Sequence, residues 1–117
     1  MIINSNAISC RASIGKNTRF FHHGLGCCIH EDTIIGNHCC IFQNVTIGQR
    51  LSGQNGDGVP VIGNNVVIGA GAVILGKITI GNNVTIGANA VVVHSVPDNS
   101  IAVGVPARIK IKEEEAK

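Results

Sequence analysis

The sequence predicts an all-β solenoid, a parallel β-helix of hexapeptide repeats with one extruded loop, and three observations carry that prediction. Residues 62–91, IGNNVVIGAGAVILGKITIGNNVTIGANAV, return an aliphatic side chain at every sixth position: Ile62, Ile68, Ile74, Ile80 and Ile86, then Val92. Two positions before the later ones sits a second small or aliphatic residue (Val66, Ala72, Ile78, Val84, Ala90), and Gly63, Gly69, Gly81 and Gly87 directly follow four of them. The chain has no Trp or Tyr, and its only aromatics are Phe20, Phe21 and Phe42, which suits a narrow core filled by Ile, Val and Ala. An α-helix repeats every 3.6 residues and a plain strand every two, so a strict period of six matches neither. It matches one short strand and a turn per repeat, stacked on neighbouring repeats. The interior aliphatics of this block do not offset the entropy of ordering thirty residues. The block therefore needs neighbouring coils and neighbouring chains.

The frame begins early, at Ile8, Ile14 and Phe20, with Ala12 and Thr18 at the small positions. It then breaks. Six past Phe20 is Gly26, but the next aliphatic register runs Ile29, Ile35, Ile41, Ile47, so three extra residues have entered with Phe21-His22-His23-Gly24-Leu25-Gly26. A second break follows Ile47-Gly48: the next frame residue, Ile62, comes fifteen positions later, after QRLSGQNGDGVPV. Its glycines, with Ser, Asn and Asp ahead of Pro60, describe a loop over 48–61 pushed out of the helix. Regular coils then run to Val93, the cluster from His94 to Asn99 reads as a turn, and Ile101–Lys110 closes the domain. Residues 111–117 read as a frayed, solvated tail. All of 1–117 forms one domain. In a regular solenoid, function concentrates at the irregularities.

The net charge is +2 with no basic run, which argues against a nucleic-acid partner. No apolar run reaches membrane-spanning length, so no membrane insertion is expected. MIINSNAIS lacks the charged start and apolar stretch of a signal peptide, so the expected location is cytoplasmic. Five cysteines, four of them in the adjacent pairs Cys27-Cys28 and Cys39-Cys40, invite a metal or disulfide reading. The frame favours core filling instead, because Cys27 and Cys39 each precede an interior isoleucine by two and so take the small interior position.

The stretch VTIGQ, followed by GDGVPVIGNNVVIGAGAVILGKITIGNNVTIGANAVVVHSVPDNSIAVGVPARI, resembles the hexapeptide-repeat acetyltransferases. The likeness is to the branch holding serine acetyltransferases and relatives that acetylate surface polysaccharides, and it covers about Ile8 to Ile109. The helical domain that serine acetyltransferases carry ahead of the β-helix is not among the residues that carry this likeness, so it is not expected here. The resemblance implies a single-stranded left-handed parallel β-helix with three hexapeptides per coil, so residues eighteen apart stack. On that stacking the two cysteine pairs, twelve apart, fall on different faces and form no metal site.

It also implies a homotrimer with sites between chains and acetyl-CoA as acetyl donor to a small-molecule or glycan acceptor. Activating a hydroxyl near neutral pH takes a base such as histidine. The family base falls on His23, with His22 and Gly24 beside the acceptor. Backbone N–H groups near Gly48 and Gln49 take the oxyanion position. Gly69, Ala70, Gly71, Gly87 and Ala88 leave room for the pantetheine arm, and Arg108 and Lys110 stand where the family places cations near the CoA phosphates.

The departures from the serine enzymes bear on the acceptor. Their base-orienting aspartate falls at Ala7, so His23 is oriented by Asn6, Glu31 or a backbone carbonyl. A second aspartate falls at His22, and an Arg-His pair ahead of a proline becomes Gly58-Val59-Pro60. Without a bidentate grip for a carboxylate or a mate for an ammonium, a zwitterionic acceptor is disfavoured. A sugar hydroxyl is therefore the expected acceptor, serine the alternative, and a non-catalytic structural β-helix the remaining one. A hexapeptide-repeat carbonic anhydrase is excluded, since no H-x-x-x-x-H pair of zinc ligands occurs.

Overall fold

The computed structural model describes the backbone of residues 7–8 and, with side chains, residues 12–50 and 58–112. Its strands are β1 (Ala7–Ile8), β2 (Ser13–Ile14), β3 (Arg19–Phe20), β4 (Cys28–Ile29), β5 (Ile34–Ile35), β6 (Cys40–Ile41), β7 (Thr46–Gly48), β8 (Val61–Ile62), β9 (Val67–Ile68), β10 (Val73–Leu75), β11 (Thr79–Ile80), β12 (Thr85–Ile86), β13 (Val91–Val92), β14 (Ser100–Val103) and β15 (Arg108–Ile111). They form the three faces of a prism. The first face runs β1-β4-β7-β10-β13, the second β2-β5-β8-β11, and the third β3-β6-β9-β12-β14-β15. Every pairing is parallel except β14 with β15.

The register records each break in the repeat. Uninterrupted coils pair residues eighteen apart, as Cys28 with Thr46, Val61 with Thr79 and Val73 with Val91. Around the histidine insertion the offset is twenty-one, Arg19 with Cys40. Around the extruded loop it is twenty-seven, Ile34 with Val61. A third break was not read from the sequence. The last coil is two residues short, pairing Thr85 with Ile101 and bridging Ile80 to Val96. All three irregularities fall at corners, so the strands on either side return to register. The loop residues 51–57 lie outside the described residues.

The chain closes differently from a simple last coil, because β15 turns back antiparallel to β14, with Val103 opposite Arg108 and Ser100 opposite Ile111. Ile111, read from the sequence as the start of the tail, therefore belongs to a strand. The Lys112 N–H donates to Asn99 O at 2.7 Å, and residues 113–117 lie outside the described residues.

Alternate residues of each strand face the prism axis. Of the eleven interior positions counted between Ile62 and Val92, ten are buried and only Ile78 remains half-exposed. Cys27 and Cys39 are buried in this core, whereas Cys28 is exposed on the first face and Cys40 half-buried on the third. Burial pushes the Cys27 thiol pKa up, opposed by hydrogen bonding to the Val45 and Asn44 backbones. Ile14, an interior position in the sequence frame, stays 37% exposed in the first coil.

The corner between the second and third faces explains the Ile-Gly-Asn repeat. Asn37, Asn64, Asn82 and Asp98 stack there, and each side-chain Oδ1 accepts the backbone N–H of the coil before it: Lys16, Asn37, Asn64 and Asn82, all at 2.8 Å. The glycine one position earlier leaves room for that oxygen. A Cβ on Gly63 would stand 2.6 Å from Asn82 Oδ1 and 2.9 Å from the Gly81 carbonyl. The third residue after the inward aliphatic turns the corner with positive φ, at Asn17, Asn65, Asn83 and Asn99 among others. Asparagine adopts that conformation more readily than other non-glycine residues.

Candidate active site

The corner between the third and first faces carries most of the residues singled out in the sequence. In successive coils it is occupied by the insertion Phe21–Gly26, then by Phe42-Gln43-Asn44, Gly69-Ala70-Gly71 and Gly87-Ala88-Asn89. Backbone bonds fix the stack: Asn44 N–H donates to Leu25 O at 2.8 Å, Gly71 N–H to Gln43 O at 3.0 Å, and Asn89 N–H to Ala70 O at 2.9 Å. With coils about 4.8 Å apart, Ala88 lies three coils, or about 14 Å, from the histidine insertion.

Small residues are required on the two lower rungs. A Cβ on Gly69 would meet the Ala88 nitrogen at 2.7 Å, and one on Gly87 would meet Val103 Cγ1 at 2.8 Å. Gly71, with φ of +76°, occupies the left-handed corner position. These residues line the corner below the histidine insertion with backbone and methyl groups. Arg108 and Lys110, both exposed, follow at its lower end on β15, beyond the last rung.

The insertion is a 3-10-like turn over Phe21–Gly24 with an unusual backbone. His22 (φ 56°, ψ 35°) and His23 (φ 58°, ψ 25°) are both left-handed, and Gly24 follows at φ 71°. A left-handed residue other than glycine costs about 1–2 kcal/mol, and such strain collects where the surrounding structure over-determines it. The turn is closed by Leu25 N–H to His22 O at 3.0 Å and Cys27 N–H to Gly24 O at 2.9 Å. His22 and His23 are exposed, and Gly24 is buried beneath them.

Two of the expected site residues lie elsewhere. Gly48 ends β7 and Gln49 follows it, at the corner between the first and second faces, where Gly76 N–H donates to Gly48 O at 2.9 Å. A first-face strand of three residues, about 10 Å at 3.3 Å per residue, separates them from the histidine corner of the same chain. The extruded loop leaves and returns at their corner, with Arg50 against Gly76 and Gly58 against Lys77.

Ala7 sits in β1 beside Cys28, while Asn6, one of the groups weighed for orienting His23, lies outside the described residues. Glu31 is exposed past the end of β4, and the adjacent His30 accepts the Asp32 N–H at Nδ1, 3.0 Å. Among the described residues no group of three His, Cys, Asp or Glu side chains could hold a metal ion. No helix among them is long and apolar enough to cross a membrane.

Two features of this corner were not read from the sequence. The Phe21 and Phe42 rings stack at 4.6 Å with 15° between planes, and Gln43 Oε1 is buried without a hydrogen-bond partner. Two of the three phenylalanines, each just past an inward frame residue at the same corner, were the available signal.

Comparison with known proteins agrees with this fold. Residues 60–94 match the family model for the bacterial transferase hexapeptide (six repeats). The chain is 48% identical over 90 residues to a serine acetyltransferase of Synechococcus elongatus, covering 77% of this chain and 36% of that protein. It is 47% identical over 105 residues to the putative colanic acid biosynthesis acetyltransferase WcaB of Escherichia coli, covering 89% of this chain and 62% of that protein. It superposes on a serine acetyltransferase solved in complex with CoA at a TM-score of 0.77 and 42% identity, covering 86% of this chain and 40% of that one. The chain thus spans 36% and 62% of the two curated relatives. Its fold is the left-handed β-helix of these acetyltransferases.

Proposed function

We propose, on the premise that this chain is a member of the hexapeptide-repeat acetyltransferases, that it moves an acetyl group from acetyl-CoA to a hydroxyl of a sugar or surface-polysaccharide precursor. The observation that carries the reading is one shared corner: a strained histidine turn stands at the head of a stack of glycine and alanine rungs. His23 is the general base. It accepts the acceptor's hydroxyl proton as the oxygen attacks the thioester carbonyl. The tetrahedral intermediate then collapses, the C–S bond breaks, and the CoA thiolate takes the proton from the His23 imidazolium. His22 and Gly24 border the acceptor; Gly69, Ala70, Gly71, Gly87 and Ala88 border the pantetheine arm; Arg108 and Lys110 meet the phosphates.

The backbone N–H groups at Gly48 and Gln49 are assigned to the oxyanion. They lie across a face from His23, so both reach one carbonyl only if neighbouring chains supply them. That supports a homotrimer with sites between subunits. So do Ile34 and Val61, a register pair on the second face that is 48% and 40% exposed. Contiguous outward apolar side chains mark association surfaces.

Serine as acceptor is the second reading, favoured by the serine acetyltransferases among the relatives. Against it, Ala7, His22 and Gly58-Val59 offer neither a carboxylate for an ammonium nor a guanidinium for a carboxylate, leaving Arg50 as the remaining cation among the described residues of the loop. The colanic acid relative supports the sugar reading.

Thiol release from acetyl-CoA, measured with L-serine and with a panel of nucleotide sugars and glycans, separates the two. Turnover on sugars with weak serine activity is expected; efficient serine turnover with none on sugars overturns the acceptor assignment. On the best acceptor, His23→Ala should lower the rate by about 10²–10⁴ with CoA affinity retained. Near-parental turnover in that variant removes His23 as base. Light scattering should give three chains per particle, and an active monomer would refute the shared site.

A further inference from the structure

The histidine turn is pinned at both ends by one tripeptide of the coil beneath it, Phe42-Gln43-Asn44. At the exit the pins are mostly main-chain: Asn44 N–H donates to Leu25 O at 2.8 Å, and the Asn44 carboxamide fills the space that a side chain on Gly26 would need. The Cys27 thiol adds a bond to Phe42 O at 3.3 Å. At the entrance the chain leaves the parallel pairing of Phe20 with Ile41, and a side chain adds the pin, the Phe42 ring stacking on Phe21 at 4.6 Å with their planes nearly parallel. Between the two pins lie His22 and His23, both held left-handed. Such a backbone relaxes when its surroundings cease to over-determine it, and past the Phe20–Ile41 pairing the contact that meets the entrance of the turn is the Phe42 side chain.

We propose that Phe42 is a positioning residue for the acetyl transfer: by stacking on Phe21 it fixes the histidine turn and so sets where the His23 imidazole stands above the glycine and alanine rungs. This rests on the assignment of His23 as base. Phe42 touches neither substrate in this scheme and acts only through the turn. Misplacing a catalytic group by about 1 Å costs on the order of 10² in rate. The glycine and alanine rungs below belong to other coils and are left intact.

The test is steady-state turnover of acetyl-CoA with the best acceptor from the sugar and serine panel, alongside CoA affinity by calorimetry, at a temperature where each variant is folded. Phe42→Leu should lower kcat about 10²-fold, with KM for acetyl-CoA and CoA affinity unchanged, and Phe42→Tyr should restore kcat. Phe21→Leu should show the same loss, and the double variant should lose no more than either single one, because both remove one contact. A Phe42→Leu variant with parental kcat overturns the proposal, as do losses that add in the double variant or a Tyr variant that fails to rescue. His23→Ala in the same assay keeps the two inferences apart: if it retains turnover the base assignment fails, whereas if it is inactive and Phe42→Leu is not, only the positioning role falls.

Discussion

Two glycines of the repeat should respond to alanine with opposite signs, although the sequence presents both as the residue after an inward isoleucine. Neither Gly63 nor Gly48 has a positive φ, so the backbone of each accepts a side chain and only space decides. At Gly63 the new Cβ meets Asn82 Oδ1 at 2.6 Å and the Gly81 carbonyl at 2.9 Å. Ordinary contact begins near 3.4 Å, so the next coil must withdraw by about half an ångström in an interior that is already close-packed. That movement strains Gly63 N–H to Ile80 O and Asn64 N–H to Asn82 Oδ1, both 2.8 Å. Overpacking of this kind costs about 1–3 kcal/mol, against a gain of about 0.4–1 kcal/mol from the stiffer unfolded chain. Gly63→Ala should therefore destabilise by about 1–2 kcal/mol, or several degrees in Tm for a chain of this size. At Gly48 a Cβ meets only Leu75 Cδ2, at 3.9 Å, so Gly48→Ala should be neutral or stabilising by up to about 1 kcal/mol. Denaturant titration and thermal melts at matched protein concentration compare the two. Equal effects, or a stabilising Gly63→Ala, would refute the stacking argument for the repeat's glycine.

The buried Thr33 hydroxyl has no partner, so the near-isosteric Thr33→Val should stabilise by about 1 kcal/mol; a less stable variant would show that the hydroxyl is satisfied in solution. Burial raises the Cys27 pKa above its usual 9.0. Above about pH 9 the unfolded chain releases that proton more readily than the folded one, so stability falls as pH climbs through the raised value. Denaturation midpoints across that range should show the loss, and Cys27→Ala should flatten it. Native-state alkylation should modify Cys28 and spare Cys27 and Cys39, while metal analysis of tag-free protein should find no stoichiometric zinc. Zinc that disappears in Cys39→Ala would reverse the reading of the cysteines as core residues.

Much of this fold was legible because a solenoid writes its geometry as a period. The inward isoleucines, the buried thiols and the two insertions all followed from counting in sixes, and the register offsets reproduce the three- and nine-residue excesses. The shortened last coil escaped because its residues, His94 to Asn99, carry turn chemistry that masks a missing pair of positions. The corner ladder escaped for another reason. Asparagine reads locally as a turn former, whereas Asn37, Asn64 and Asn82 also act between coils, on an N–H of the preceding one. At the candidate site, the break around His22 and His23 was visible as a count, but not that both backbones turn left-handed or that Phe42 holds them. The separation of Gly48 from His23 by a whole face follows from closure of the coil, which local sequence does not report.

The corner ladder also has a direction. Each rung is a side chain of one coil gripping the backbone of the coil before it, and the series ends at Asp98, whose carboxylate serves Asn82. A coil therefore completes its predecessor and is itself completed by its successor. Removing coils from the N-terminal side leaves every remaining rung of this ladder made, whereas removing the last coil strips the acceptor from the one above. At this corner the solenoid is locked from its C-terminal end, the opposite order to that in which a ribosome delivers it.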